Sequence, residues 1–143
     1  MGVLSDLVVA GENDAELVCR TLNPSATFAG IDIKGIDSVK FESLDQILTG
    51  RAPTLTSDVF TPLACGFDEG RLVFRLPGGL VGKRAALSSA EQTATADLWF
   101  KTEGEFHFGD WQTEAVLQVL AGVCALARSA VAQHKVLYLW MSL

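Results

Sequence analysis

The sequence predicts a single α+β domain over residues 1–143, with a small, mostly antiparallel sheet of three or four strands packed with four or five helices. Three observations lead to this class. Strand-like apolar segments are separated by segments of helical period. Strands and helices do not alternate one for one, as they do in parallel βαβ sheets. The chain has 143 residues, 49% of them apolar, which suits one hydrophobic core.

The first half of the chain begins with a predicted strand, Leu4–Ala10, that ends at Gly11. Asn13 or Asp14 is placed to cap a helix, and Asn23–Pro24 is predicted to stop it, because a residue before proline disfavours helical dihedrals.

Short strands and one helix are predicted next. Ile31–Ile33 and Val59–Phe60 are short strand candidates. Asp37 is placed to cap a helix whose apolar residues recur at helical spacing, and Gly50 stands where a glycine commonly ends a helix.

The second half contains a clearer strand, Arg71–Leu76, rich in β-branched and aromatic residues. A short helical segment is predicted over Leu80–Leu87. Ser88 and Glu91 have the spacing of a capping box, so a helix should begin there. It is predicted to end at Thr102–Gly104.

The longest helix and the last strand complete the predicted fold. Asp110 is placed to cap the helix, whose apolar stripe comprises Val116, Leu120, Val123, Leu126, Ala127 and Ala130. Val136–Leu143 is apolar on both alternating faces, which predicts a strand that is covered on both sides.

The helix end Phe41–Gly50 resembles the YfbM-like family of bacterial domains. Leu44 and Leu48–Gly50 match the family's aromatic-x-x-Leu-x-x-x-Leu-Thr-Gly pattern, whereas Asp45 stands where the family has His. The order of elements, from a strand after Met1–Gly2 to an apolar terminal strand, is similar over the whole chain. The resemblance implies an α+β fold and no particular activity.

The net charge of −6 is unevenly distributed. Residues 1–69 hold 11 acids and 4 bases, and residues 70–143 hold 6 acids and 7 bases. An acidic protein repels phosphate backbones, so nucleic-acid binding is not expected. The asymmetry favours a basic protein partner, although an acidic surface also simply keeps a protein in solution. No apolar run reaches the roughly 18 residues of a membrane span, so no membrane association is expected.

Three cysteines, Cys19, Cys65 and Cys124, are far apart in the sequence. Their odd number and wide spacing predict three free thiols, and therefore a reducing, cytoplasmic location. The start of the chain has no basic segment, so no secretory signal is expected.

Glycines and bases near residue 80 invite comparison with a phosphate-binding loop. Gly78–Arg84 is one residue shorter than a Walker A loop, and Arg84 follows Lys83 where that loop needs Ser or Thr to hold magnesium. Nucleotide hydrolysis is therefore not expected. Arg75, Lys83 and Arg84 stay candidates for anion binding, and the alternative is that they pair with acids or remain solvated.

Glu105, His107 and Asp110 form the strongest candidate for chemistry. Two carboxylates and an imidazole suit acid–base catalysis, but the chain has only one other histidine, so no metal and no cofactor are expected. The alternative is a solvated loop in which Asp110 caps a helix. Cys65 is a further catalytic candidate if a base activates its thiol, and otherwise an unactivated cysteine.

These observations predict a non-enzymatic protein-binding module, for example an acidic inhibitor or an immunity-type protein, with a protein partner or a second copy of the chain. The alternative is a small enzyme or small-molecule binder with a pocket near Glu105, His107 and Asp110. A flat acidic face with aromatic residues would favour the first, and a concave pocket the second.

Overall fold

Four strands and six helices make up the part of the chain that the structure, a computed structural model, describes: residues 4–21, 23–33, 36, 38–49, 70–76, 78–102 and 111–142. The strands are β1 Leu4–Ala10, β2 Ala29–Asp32, β3 Arg71–Arg75 and β4 Val136–Ser142. The helices are α1 Ala15–Arg20, α2 Pro24–Thr27, α3 Ser38–Thr49, α4 Gly78–Ala85, α5 Ser89–Thr102 and α6 Thr113–Gln133. The predicted α+β class is confirmed.

All four strands form one antiparallel sheet in the order β2-β1-β4-β3. Strand β4 is central and pairs with both β1 and β3. Its alternating residues are buried on both faces, with Leu137, Leu139 and Met141 in the larger core and Tyr138 and Trp140 in the smaller one. The predicted covering of this strand on both sides is therefore confirmed.

The sheet lies between two layers of helices. On one face α1 contributes Val18 and Cys19 to the smaller core, and α2 contacts β1 and β2. On the other face α3, α4, α5 and α6 contribute to the larger core, for example through Leu44 and Trp99. The indole Nε1 of Trp99 donates to the carbonyl oxygen of Lys40 at 3.0 Å, which ties α5 to α3.

Helix α6 crosses the larger core and contacts the sheet, α4 and α5. Its buried residues are Val116, Leu120, Val123, Cys124, Ala127 and Ala130. They follow the predicted stripe, except that Leu126 is half-buried and Cys124 takes part. By length and composition α6 is the one described helix that could cross a membrane, and 33% of its most apolar stretch is buried.

Helix α5 begins where its sequence predicts. The backbone N–H of Glu91 donates to Oγ of Ser88 at 3.2 Å, and the N–H of Ser88 donates to Oε1 of Glu91 at 3.1 Å. These reciprocal bonds make a capping box and satisfy donors that a helix start leaves open. The bond from the Ser88 N–H, and a smaller contribution from the Ser88 side chain, lower the pKa of the Glu91 carboxyl, because its charged form is the better hydrogen-bond acceptor.

Three local expectations need correction. Asp14 is the N-cap residue of α1, as predicted, but its side chain makes no capping bond and instead accepts the N–H of Gly11 at 2.9 Å. Pro24 starts the short helix α2 rather than only ending α1, since proline is favoured in a first turn. Helix α6 has Gln112 as its N-cap residue, so Asp110 is not at the capping position. The strand candidate Val59–Phe60 lies outside the described residues.

Candidate functional site

The catalytic candidates Glu105, His107, Asp110 and Cys65 all lie outside the described residues. Among the residues that are described, no three His, Cys, Asp or Glu side chains come together as metal ligands would.

The three bases considered for an anion site are not brought to one pocket. Nη1 of Arg75 lies 3.5 Å from a carboxylate oxygen of Glu12, on the face of the sheet that α1 covers. Arg84 is fully buried in α4, which packs on α6 at the opposite face, and Lys83 is exposed. Arg75 therefore makes the surface ion pair that was the alternative to anion binding.

The cysteines differ from one another. Cys19 is disulfide-bonded, which corrects the expectation of three free thiols, and its partner is outside the described residues. An odd number of cysteines does not prevent one pair, and the fold can join residues that are distant in sequence. Because disulfides persist in oxidising compartments, Cys19 no longer supports a cytoplasmic location.

Cys124 is a free, buried thiol on the sheet-facing side of α6. Burial raises its pKa, because the thiolate loses solvation, and the nearby charges of Arg128 and Arg84 partly oppose that rise. A buried thiol with a raised pKa is a poor nucleophile, so Cys124 serves the core rather than catalysis.

A pocket of about 340 Å³ lies between β2 and α6. We name it the β2–α6 pocket; it is lined by Ile31, Asp32, Ile33, Trp111, Ala115, Gln118, Val119 and Gly122. The four α6 residues have the spacing i, i+3, i+4 and i+7, so they share one face of the helix. A Cβ on Gly122 would lie 2.9 Å from Cδ1 of Ile31, so the lack of a side chain there lets strand and helix approach closely.

A second concavity, of about 540 Å³, lies on the other side of α6. We name it the α5–α6 groove; it is lined by Ala90, Thr93, Ala94, Ala96, Asp97, Thr113, Glu114 and Leu117. Small side chains on α5 keep it open. Leu98, one turn beyond Ala94 on α5, is 49% exposed and extends the apolar surface.

Acidic side chains surround the N-terminal half of α6, and basic side chains stand near its C-terminal end. Among the described residues that line the pocket and the groove, three are carboxylates and none is a lysine or arginine. Oδ2 of Asp97, in the groove lining, lies 2.9 Å from Nζ of Lys101, which is not one of the lining residues, and both side chains are exposed. Bases stand instead at the far end of the helix, where Arg128 binds the end of α4 and Lys135 follows the last turn.

None of the pocket and groove residues was predicted as a site. Their carboxylates are ordinary surface acids in the sequence, and only the fold brings β2 beside the first turns of α6. One signal was present: α6 carries small and apolar residues on faces outside its buried stripe, at Ala115, Leu117, Val119 and Gly122.

The fold and this surface define a small α+β domain with a central antiparallel sheet, two layers of helices, and concave surfaces on either side of its longest helix. A scan against protein-family models and searches of curated proteins and of solved structures found no match.

Proposed function

We propose that this protein is a non-enzymatic binding module that holds a basic protein partner against the N-terminal half of α6. The binding surface comprises the β2–α6 pocket and the α5–α6 groove, with the helix as a ridge between them. An acidic inhibitor or an immunity-type protein would act in this way.

One observation carries the proposal: both concavities combine apolar walls with carboxylates and contain no described lysine or arginine. An apolar centre with a charged rim is the usual anatomy of a protein interface. Half-buried Trp111 is of the residue type that most often dominates binding energy at an interface, and half-buried Leu117 adds to the apolar centre.

Charge complementarity selects the class of partner. Glu114 and Asp32 stand on opposite sides of the ridge, and the whole chain carries a net charge of −6. An acidic surface steers a basic protein towards it and repels acidic ones, mainly through the rate of association. The uneven charge of the sequence leads to the same class of partner.

Site-specific photo-crosslinking tests the proposal. A photoreactive amino acid is placed at Ala94 in the groove, and at Leu17, which is 55% exposed on α1 across the sheet, as a matched control. We expect Ala94, and not Leu17, to crosslink one basic protein in native lysate. We expect Glu114→Lys combined with Asp97→Lys to weaken binding of that purified protein at least about tenfold.

Two results would contradict the proposal. Equal crosslinking from Ala94 and Leu17 would show that contact is not confined to this surface. Crosslinking from Ala94 only to a second copy of the chain would replace the basic partner by a homo-oligomer.

Three earlier predictions remain predictions. They are the resemblance to the YfbM-like family, the cytoplasmic location, and the alternative of a small enzyme or small-molecule binder near Glu105, His107 and Asp110.

A further inference from the structure

The β2–α6 pocket has the size and composition of a site for a single side chain. Its volume of about 340 Å³ is near the lower limit of small-molecule pockets, roughly 300–1,000 Å³. Ile31 and Val119 provide apolar walls, and Trp111 provides an indole. The polar groups are the exposed carboxylate of Asp32 and the exposed amide of Gln118.

The charges of this pocket favour a cationic occupant. An anion would meet the carboxylate of Asp32 with no base among the described lining residues. A neutral apolar group would use the walls and gain nothing from the carboxylate. A cation on an apolar stem can use both, and the electron-rich face of an indole attracts cations in addition.

We propose that the β2–α6 pocket receives an arginine side chain of the basic partner. This inference rests on the proposed function, which it makes specific. The guanidinium group stacks on the indole of Trp111 and donates to the carboxylate of Asp32 and the amide oxygen of Gln118. The three methylenes of the arginine stem lie against Ile31 and Val119.

Arginine suits this pocket better than lysine for two reasons. A planar guanidinium stacks on an aromatic ring and offers a fork of N–H donors to a carboxylate, whereas an ammonium is a compact, strongly hydrated charge. Guanidinium is also less strongly hydrated, so it loses less on entering a half-apolar pocket.

The test uses small probes on the full chain, followed by the indole N–H signals in ¹H–¹⁵N correlation spectra. The signal of Trp111 is assigned by its loss in Trp111→Phe. We expect n-butylguanidinium to shift this signal saturably with a Kd of about 1 mM, as suits a ligand of its size. We expect n-butylammonium to bind several-fold more weakly, and n-butanol and butanoate at least about tenfold more weakly.

Matched variants on the two sides of α6 locate the site. Asp32→Asn should weaken binding of n-butylguanidinium about threefold to tenfold, and Ala115→Leu, which fills the pocket, should abolish it. Asp97→Asn and Ala94→Leu make the same changes in the α5–α6 groove and should leave binding unchanged. The spectra themselves show whether each variant is folded. If Ala115→Leu is unfolded, the binding measured with Asp32→Asn tests the location of the site by itself.

Three outcomes would overturn the inference: no saturable shift of the Trp111 signal, equal binding of n-butanol and n-butylguanidinium, or equal weakening by Asp97→Asn and Asp32→Asn. The proposed function fails separately. If the probe binds as expected but no basic protein crosslinks at Ala94, the pocket holds a free organic cation and the arginine of a partner is excluded. If a partner binds but ignores Asp32→Asn, the surface stands and the arginine pocket does not.

Discussion

Arg128 joins α6 to the end of α4, and replacing it should measurably destabilise the fold. Its Nε donates to the carbonyl oxygen of Ala85 at 3.0 Å, and its Nη2 to that of Leu87 at 2.7 Å. Carbonyl groups at the end of a helix have no intrahelical donors, and a positive charge there also suits the helix dipole. Hydrogen bonds from charged donors contribute about 1.5–3 kcal/mol each.

The expected effect of Arg128→Met is smaller than the sum of two such bonds. Arg128 is exposed, so water and salt screen its charge, and Nε2 of Gln92 also donates to Leu87 at 3.2 Å. We therefore expect the free energy of unfolding to fall by about 1–2 kcal/mol. For a chain of this length that corresponds to a Tm lower by roughly 2–8 °C.

Urea denaturation followed by tryptophan fluorescence and circular dichroism measures this change. Arg128→Lys keeps the charge but not the two-pronged geometry, so it should recover about half of the loss. Arg20→Met is the matched control, because the side chains of Arg20 and its partner Glu16 are both exposed on α1 and the loss of this pair should cost less than about 0.5 kcal/mol. The reasoning is refuted if Arg128→Met and Arg20→Met are indistinguishable.

Three further predictions concern ionisation and thiols. Tyr138→Phe should cost about 1 kcal/mol, because the buried hydroxyl loses its bonds to two backbone carbonyls. Burial raises the pKa of Tyr138 in the folded protein. The stability that this shift contributes is complete below the unfolded pKa of about 10 and is lost as the pH rises from there through the folded pKa. Melting curves at increasing pH should show this decline for the wild type and not for Tyr138→Phe. The lowered pKa of Glu91 contributes stability that is complete above the unfolded pKa of about 4.3 and is lost as the pH falls through the folded pKa. The urea midpoints of the wild type and of Glu91→Gln should therefore converge in acid. Thiol titration of unfolded protein should find one thiol, Cys124, without reductant and three after reduction, and three in both cases would exclude the disulfide of Cys19.

Strands that are buried on both faces could be predicted almost to the residue. Leu4–Ala10 was predicted and observed with the same bounds, and the strand predicted over Val136–Leu143 extends over Val136–Ser142. The reason is local: both strands are mostly apolar, with β-branched residues in the first and aromatic residues in the second, and such sequence is compatible with a covered strand. The capping box of Ser88 and Glu91 was equally predictable, since it depends on only four residues.

Elements whose geometry depends on tertiary context were predicted less well. The short helix α2 was missed because four residues carry no periodic signal, and the carboxylate of Asp6, from β1, accepts the N–H of Ser25 in it at 3.0 Å. The start of α6 was placed too early, because Asp110 has the right residue type and nothing local shows that the helix begins at Thr113. Residue type alone does not fix a helix boundary.

The candidate site could not be predicted, because its residues come from elements that only the fold brings together. Asp32 ends an edge strand in the first quarter of the chain, and Gln118 lies in the last helix. The sequence did show an acidic first half, to which Asp32 belongs, and a slightly basic second half. It did not show that Asp97 and Glu114, from the second half, stand at the acidic end of α6.

The apolar surplus of α6 accounts both for its membrane-like composition and for the proposed interface. One stripe of the helix suffices to cover the sheet, so Leu117 and Val119 on its other faces are only half-buried. To cross a membrane, α6 would have to leave the sheet and carry Glu114 and Arg128 into or near hydrocarbon, each at a cost of up to about 2.5–3.5 kcal/mol in the centre of a bilayer. Docking a partner on the two concavities covers the same apolar side chains while Glu114 stays at a wet rim and Arg128 keeps its bonds to α4. A membrane-spanning α6 would therefore dismantle the core, whereas a partner docked on the two concavities would leave the core intact.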